Sequence, residues 1–198
     1  MALVALAGAC RVGGAVEVTP IEGPVPETVA IWPFVEGGAP PDAALWFTGL
    51  AEQLGGRGYR VVGPGVAREV ILAAGLGAAD VGLPAVGRAL RADALLVVEV
   101  RAFDARGRRS LREASWDLAW SLVSTRGDGR QWAHAARGSW RRADRAPLDS
   151  LRGFDELADP PPIVPFGGSR VPSFRDAAGL VAHLHRDAMA RLPSRDAP

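Results

Sequence analysis

The side chains best able to do chemistry in this sequence are three histidines, one cysteine and a large excess of arginine. His183 and His185 stand one residue apart in a helical pattern, which turns their rings about 200° from each other. They cannot share a metal ion in that arrangement, and the pattern predicts surface and edge positions for both. His134 falls in a strand-like run with no carboxylate or nucleophile beside it in sequence, so a satisfied, partly buried imidazole is expected rather than a general base. Cys10 has no second thiol with which to close a disulfide. Gly75-Leu76-Gly77 follows a helical run and fits a helix end, not a dinucleotide loop. Gly63-Pro64-Gly65 does follow a strand and open a helix, but it lacks the Lys-Ser/Thr pair that completes a phosphate loop. No catalytic residue, cofactor or metal is therefore expected, and the chain is not expected to be an enzyme.

All 23 basic residues are arginine, and 22 acids offset them to a net charge of +1, a balance with no global attraction to nucleic acid or an acidic bilayer. Locally the arginines are concentrated. Residues 110–125 and 130–142 are strand-like and flank Arg126-Gly127-Asp128-Gly129, a strong hairpin signal. Pairing centred on Asp128 sets Trp116 against Trp140, Trp120 against Ala136, Leu122 against His134 and Trp132 against Ser124. Even-numbered positions then share one face lined by four tryptophans, while Glu113, Ser115, Asp117 and Ser121 look to the other, wetter side. The same pairing gathers Arg106, Arg108, Arg109, Arg112, Arg141, Arg142 and Arg145 at one end of the sheet, with Asp104, Glu113 and Asp144 nearby. Like charges at a sheet margin discourage edge-to-edge aggregation. They also make a candidate surface for an anion or a protein partner.

The elements that must hold these side chains are organised around residues 92–100, Ala-Asp-Ala-Leu-Leu-Val-Val-Glu-Val, whose apolar residues on both faces predict a central strand covered above and below. Before it the pattern predicts a strand over 28–34 and a helix from Ala43, capped by Asp42, with Trp46, Phe47, Leu50 and Leu54 inward. A strand over 59–62 follows, then a helix over 66–74 directing Val66, Val70, Ala73 and Ala74 to the core. A shorter helix from Pro84 sends Leu83, Val86 and Leu90 toward the sheet. Residues 1–27, rich in Gly and Pro from residue 11, fit a leader remnant and extended tether. The core domain spans 28–142. Residues 143–172 form a Pro/Gly-rich loop far longer than the ~4–6 residues of a usual connection, with Phe154 and Phe166 as candidate docking anchors. In 173–198, Ser173 and Asp176 make a capping-box-like start to a helix whose stripe is Phe174, Ala177, Val181, Leu184, Ala188 and Leu192. The expected fold class is α/β, a mixed sheet of about five strands ordered β-α-β-α-α-β-β-β-α, parallel first and antiparallel in its C-terminal hairpins.

This order of motifs carries a resemblance. Residues 28–34, then Gly58-Tyr59-Arg60-Val61-Val62-Gly63-Pro64, then Ala79-Asp80, then Leu90-Arg91-Ala92-Asp93-Ala94-Leu95-Leu96-Val97-Val98, resemble a group of bacterial lipoproteins of unknown function. The body of those proteins is similar to the TolB N-terminal domain and to the periplasmic domain of CsgG-type secretion lipoproteins. The likeness spans 28–142 and returns at Ala190-Arg191-Leu192-Pro193. In addition, Ala5-Leu6-Ala7-Gly8-Ala9 before Cys10 resembles a lipobox, which implies a lipid on Cys10; each buried acyl methylene would contribute ~0.8 kcal/mol to membrane attachment. No apolar run approaches the ~20 residues that a spanning helix needs. The resemblance implies an outer-membrane-anchored protein on the periplasmic side that binds other envelope proteins. It also implies a homo-oligomer serving a secretion or transport complex, and no active site. The hairpin lacks the alternating lipid-facing pattern of a pore strand, so no channel is expected from this chain alone. Two other readings stand beside it: a ligand-binding or enzymatic cleft at the carboxyl ends of the parallel strands, near 34–38 and 63–65, and nucleic-acid binding through the arginines.

Overall fold

The computed structural model describes residues 13–19, 21, 23–37, 43–76, 82–107, 110–127, 129–142 and 174–195. Cys10, Asp42, Arg108, Arg109, Arg145, Phe154, Phe166 and the whole 143–172 loop lie outside the described residues. Residues 94–106 form β5 (Ala94–Arg106), buried or half-buried as far as Val100 and mostly exposed beyond. On one side β5 pairs antiparallel with β6 (Glu113–Ser124), and on the other it runs parallel to β2 (Thr28–Ile31). It is the central strand that its two-faced apolar pattern demands. Among the described residues the sheet has seven strands. Its path runs β1 (Gly13–Thr19), β7 (Arg130–Arg141), β6, β5, β2 and β4 (Arg60–Val62), with β3 (Glu36–Gly37) also parallel to β5.

Two helical layers cover the sheet. A 3-10 turn (Ala43–Phe47), α1 (Leu50–Gly55) and α4 (Ala177–Ala190) pack on the tryptophan face, where Trp46, Leu50, Leu118, Trp120, Trp132 and Val181 share one core. On the opposite face α2 (Pro64–Ala73) and α3 (Leu83–Leu90) cover only Ala30, Leu95 and their neighbours. That layer ends early, and Ser115, Arg137 and Ser139 on the same side of β6 and β7 are exposed. Each helix starts where sequence permits: Gly63 with Pro64 and Gly82 with Pro84 open α2 and α3. Asp176 caps α4 by accepting the Gly179 amide at 2.9 Å. The cap is therefore Asp176 itself, where the sequence pattern suggests Ser173 for that place.

Several local expectations are corrected. Residues 13–19 are not tether: they form the edge strand β1, paired antiparallel with β7 from Gly13↔Ser139 to Thr19↔Ala133. Its glycines and the following proline mask the run Ala15-Val16-Glu17-Val18-Thr19, and a long β7 without it would present an open edge. In α2 the buried residues are Ala67 and Ile71, while Val66 is 59% exposed. With Pro64 starting the helix and only α3 and the sheet margin to meet, the apolar stripe is narrow. Leu83 is also exposed at 36%. The hairpin pairs Trp120 with His134, Leu122 with Trp132 and Trp116 with Gly138, two residues off the expected register. The turn closes with Val123 opposite Arg130, three residues off that register, and Gln131, the extra residue of a bulge between Leu122 and Val123, returns one. A slip of two preserves parity, so Trp116, Trp120, Trp132 and Trp140 are still all buried.

The contact that seats α3 is unusually close. A Cβ on Gly87 would lie 2.2 Å from Thr125 Cβ, and the Thr125 hydroxyl donates to the carbonyls of Ala92 and Asp93 at 2.7 and 2.9 Å. Gly87→Ala should therefore lower stability by about 1–3 kcal/mol, the usual penalty for overpacking. Gly65→Ala, which meets nothing within 4 Å, should be neutral or slightly stabilising. Urea midpoints of the two variants check the pair.

Candidate functional site

Three regions hold the side chains that the sequence singles out. In the first, α4 carries His185 into the core. Val181, His185 and Met189 recur every fourth residue on its buried side, a periodicity that overrules the expected surface position. Trp120 Nε1 donates to His185 Nδ1 at 2.9 Å, and His185 Nε2 lies 3.0 Å from the Trp46 carbonyl oxygen. With Nδ1 accepting, the proton sits on Nε2 and is donated to that carbonyl. Burial pushes the His185 pKa down to about 4, against the opposing pull of the Trp46 carbonyl. The ring is fully buried, so it ties sheet to helix and cannot reach a substrate. His134, 2% exposed, stacks on Trp132 with centroids 6.1 Å apart and lies 5.4 Å from Trp120. Its pKa is lowered by burial first and by Arg191 second, with Asp187 opposing. The expected satisfied imidazole is corrected here, because Nδ1 has no hydrogen-bond partner among the described residues. His183 stays at the margin, 3.5 Å from Asp187 and against the Phe174 ring.

The second region is the arginine-rich end. Arg106, Arg112, Arg141 and Arg142 do come together there, on the ends of β5, β6 and β7. Glu113 stands between two of them, 3.3 Å from Arg106 and 3.0 Å from Arg141, and Arg106 also grips Asp104 at 2.7 Å. The Asp104 bond, with Glu113 behind it, raises the Arg106 pKa. Arg142 donates to Ser110 Oγ at 2.9 Å. One turn of pleat inward lies a second row that the expected register misses: Asp117 faces Arg137, not Ser139. Arg137 donates to Asp117 through Nε at 2.8 Å and again through Nη2, Arg101 lies 4.0 Å from the same carboxylate, and Arg101 reaches Glu99 at 3.0 Å. A register shift between Val100 and Ala102 turns Asp104 and Arg106 onto this face beside them. The open side of the sheet is thus a lattice of alternating charge, and among the described residues Glu36, Glu99, Arg101, Ser121 and Arg130 border a trough of about 150 Å³ in it.

The third region, at the carboxyl ends of the parallel strands, is packed with aromatics: Trp32 and Phe34 meet edge to face at 5.3 Å and lean on the core under α2 and α3. Gly63 there serves as the N-cap of α2, its carbonyl accepting the Ala67 amide at 2.9 Å.

No family model matches the chain, and no curated protein matches it in sequence. Solved structures do match. The PelC dodecamer from Paraburkholderia phytofirmans is 12% identical, with a TM-score of 0.53 over 93% of this chain and 100% of that one. The chain is similar in fold to PelC. A variant of the same PelC dodecamer, carrying a leucine-to-methionine substitution, gives a TM-score of 0.51 at 10% identity, covering 90% of this chain and 98% of its own. Lipoprotein GNA1162 from Neisseria meningitidis is 18% identical over 65% of this chain and 94% of its own, with a TM-score of 0.48. The PelC match runs nearly end to end in both chains, so the mixed sheet with its helical layers is a shared architecture. Among the described residues no helix is long and apolar enough to cross a membrane.

The buried imidazole makes stability depend on pH. As pH falls, the unfolded chain takes up a proton at His185 near 6.5, while the folded chain resists until about 4. The stabilisation is complete above 6.5 and drains away between those values, by roughly 3 kcal/mol at 1.4 kcal/mol per decade. His134 acts in the same direction. His185→Gln should cost about 1–3 kcal/mol at neutral pH by leaving a buried partner unpaired. It should also flatten the slope between pH 6.5 and 4 in urea titrations.

Proposed function

We propose that this chain is a lipid-anchored cell-envelope subunit that acts by assembly with copies of itself and with other envelope proteins, without catalysis. The likeness to PelC carries the reading: it covers all of that chain and 93% of this one, and PelC is a dodecamer. Support comes from the sequence as well, since Cys10 follows the small residues of a lipobox-like run. With a lipid on Cys10, the edge strand β1 would begin only three residues later, within about 10 Å of the bilayer at the chain's maximal reach. The sheet's β1 edge would then lie beside the membrane, and the charge-laced open face would be available to neighbouring subunits. Arg112, with Arg106, Arg141 and Arg142 around it, supplies the basic margin for an acidic partner.

Two measurements test this. Light scattering and native mass spectrometry of the detergent-solubilised protein should show one closed multimer; a monomer at ~100 µM would overturn the assembly role, since ring interfaces of ordinary size hold well below that concentration. Cys10→Ser should move the protein from the membrane pellet to the supernatant and remove the acyl mass. Unchanged pelleting would sink the anchor.

A further inference from the structure

Among the described residues the sheet ends in β1 on one side and β4 on the other. Strands β5, β2 and β4 run one way, β6 runs against them, β7 runs with them, and β1 runs against them again. The two margins therefore have opposite senses. A second copy laid beside the first in the same orientation brings its β4 antiparallel to β1, which continues the alternation of β5, β6, β7 and β1.

The backbone groups at the margins are in phase for that meeting. The Arg142 amide donates to the Arg112 carbonyl at 2.7 Å, one step past the pairing of Glu113 with Arg141. Even-numbered residues of β7 thus bond to β6, and odd-numbered ones bond to β1. The odd-numbered residues of β1 answer them, so Gly14, Val16 and Val18 turn their N–H and C=O groups outward. On β4 the Arg60 amide donates to the Glu27 carbonyl at 3.0 Å, which leaves Val61 as the residue that turns outward. Among the described residues no strand meets either set, and an unpaired margin is a template for another chain.

Charge selects both partner and register. The β1 run Gly-Gly-Ala-Val-Glu-Val-Thr has no basic residue, and the β4 run Arg-Val-Val has no acidic one. Neither margin complements itself, and each complements the other. With Val61 exchanging bonds with Val16, Arg60 comes opposite Glu17. The Arg60 side chain is 76% exposed and touches Glu27 at 3.2 Å, and the five donors of a guanidinium leave room for a second carboxylate. The same register sets Val18, 39% exposed, opposite Tyr59 of the tryptophan-side core. On the other face, α2 of the next copy, with Val66 and Leu72 exposed, comes alongside Ala133 and Ala135, in the half of the sheet that a chain's own helices leave bare. Gly13, the residue of β1 nearest Cys10, is the end of the strand, so an anchor there leaves the long side of β1 free.

We propose that copies of this chain join head to tail, β4 of one added to β1 of the next with Arg60 opposite Glu17. This rests on the assembly reading above and specifies its contact. Joining unlike margins is a heterologous contact, which repeats from copy to copy until the rotation closes a ring.

The test is copper-phenanthroline oxidation of the full-length, detergent-solubilised protein carrying both Glu17→Cys and Arg60→Cys. Within one chain these positions lie five strand spacings apart, roughly 24 Å, far beyond the ~4.4–6.8 Å between Cα atoms that a disulfide spans. They can bond only between copies. A ladder of covalent multimers on a non-reducing gel is expected, with a disulfide joining residues 17 and 60 in the peptide map. Without added cysteines, Glu17→Arg should raise the concentration at which the multimer dissociates about tenfold, and adding Arg60→Glu should restore it. A multimer that forms no disulfide between 17 and 60, a disulfide between two copies of residue 17, or failure of the second reversal to rescue the first would each overturn this contact while leaving assembly through another surface. A monomer would overturn the assembly reading along with it.

Discussion

A strand with apolar side chains on both faces must be roofed twice, and the disposition of every other element follows from meeting that demand at β5. Its parallel neighbour β2 requires crossovers, and these are the helices that do the roofing. The 3-10 turn and α1 precede β4 on one side, and α2 and α3 return on the other. The roof on the α2 side holds only because α3 can touch Thr125 through a position without a side chain. Past Val100 the demand ends. There the chain puts charge on one face, and the other face is closed by α4, which arrives from the far end of the sequence.

The architecture was legible from periodicity, because residues 92–100 and the tryptophan face of the hairpin admit one reading each. What was not legible depended on contacts distant in sequence. In 13–19 the short alternating run Ala15-Val16-Glu17-Val18-Thr19 is outweighed by the glycines and prolines around it, and its pairing with β7 settles it as a strand. The hairpin register depended on one bulge at Gln131, and with it the pairing of Asp117 with Arg137. The polarity of His185 masks its spacing, which puts it on the buried side of α4. An imidazole can sit in a core when both nitrogens have partners, and here Trp120 and Trp46 provide them from two other elements. The arginine-rich end was legible as a cluster, but not the carboxylates that alternate with it.

Those carboxylates change what the open face is. Arg141, Glu113, Arg106 and Asp104 alternate in sign across three strands, and Arg137, Asp117, Arg101 and Glu99 repeat the pattern. Exposed pairs of this kind each contribute little to stability and weaken with salt. Those eight charges cancel among themselves, so the two rows do not repel a second copy, and Arg112 and Arg142 at their end supply the positive margin. Interfaces between subunits are commonly polar and wet at their rims, and a neutral, hydrogen-bonding wall is compatible with that.

The bulge at Gln131 also sets which length changes the β6–β7 connection can absorb. Side chains alternate with a period of two. A pair of residues added to or taken from the turn leaves Trp132 and Trp140 under α4, shifting only their partners. A single residue would send both indoles into water and bring Arg137 inside. Homologous chains should therefore vary in this turn by even steps, or carry a compensating irregularity wherever the step is odd.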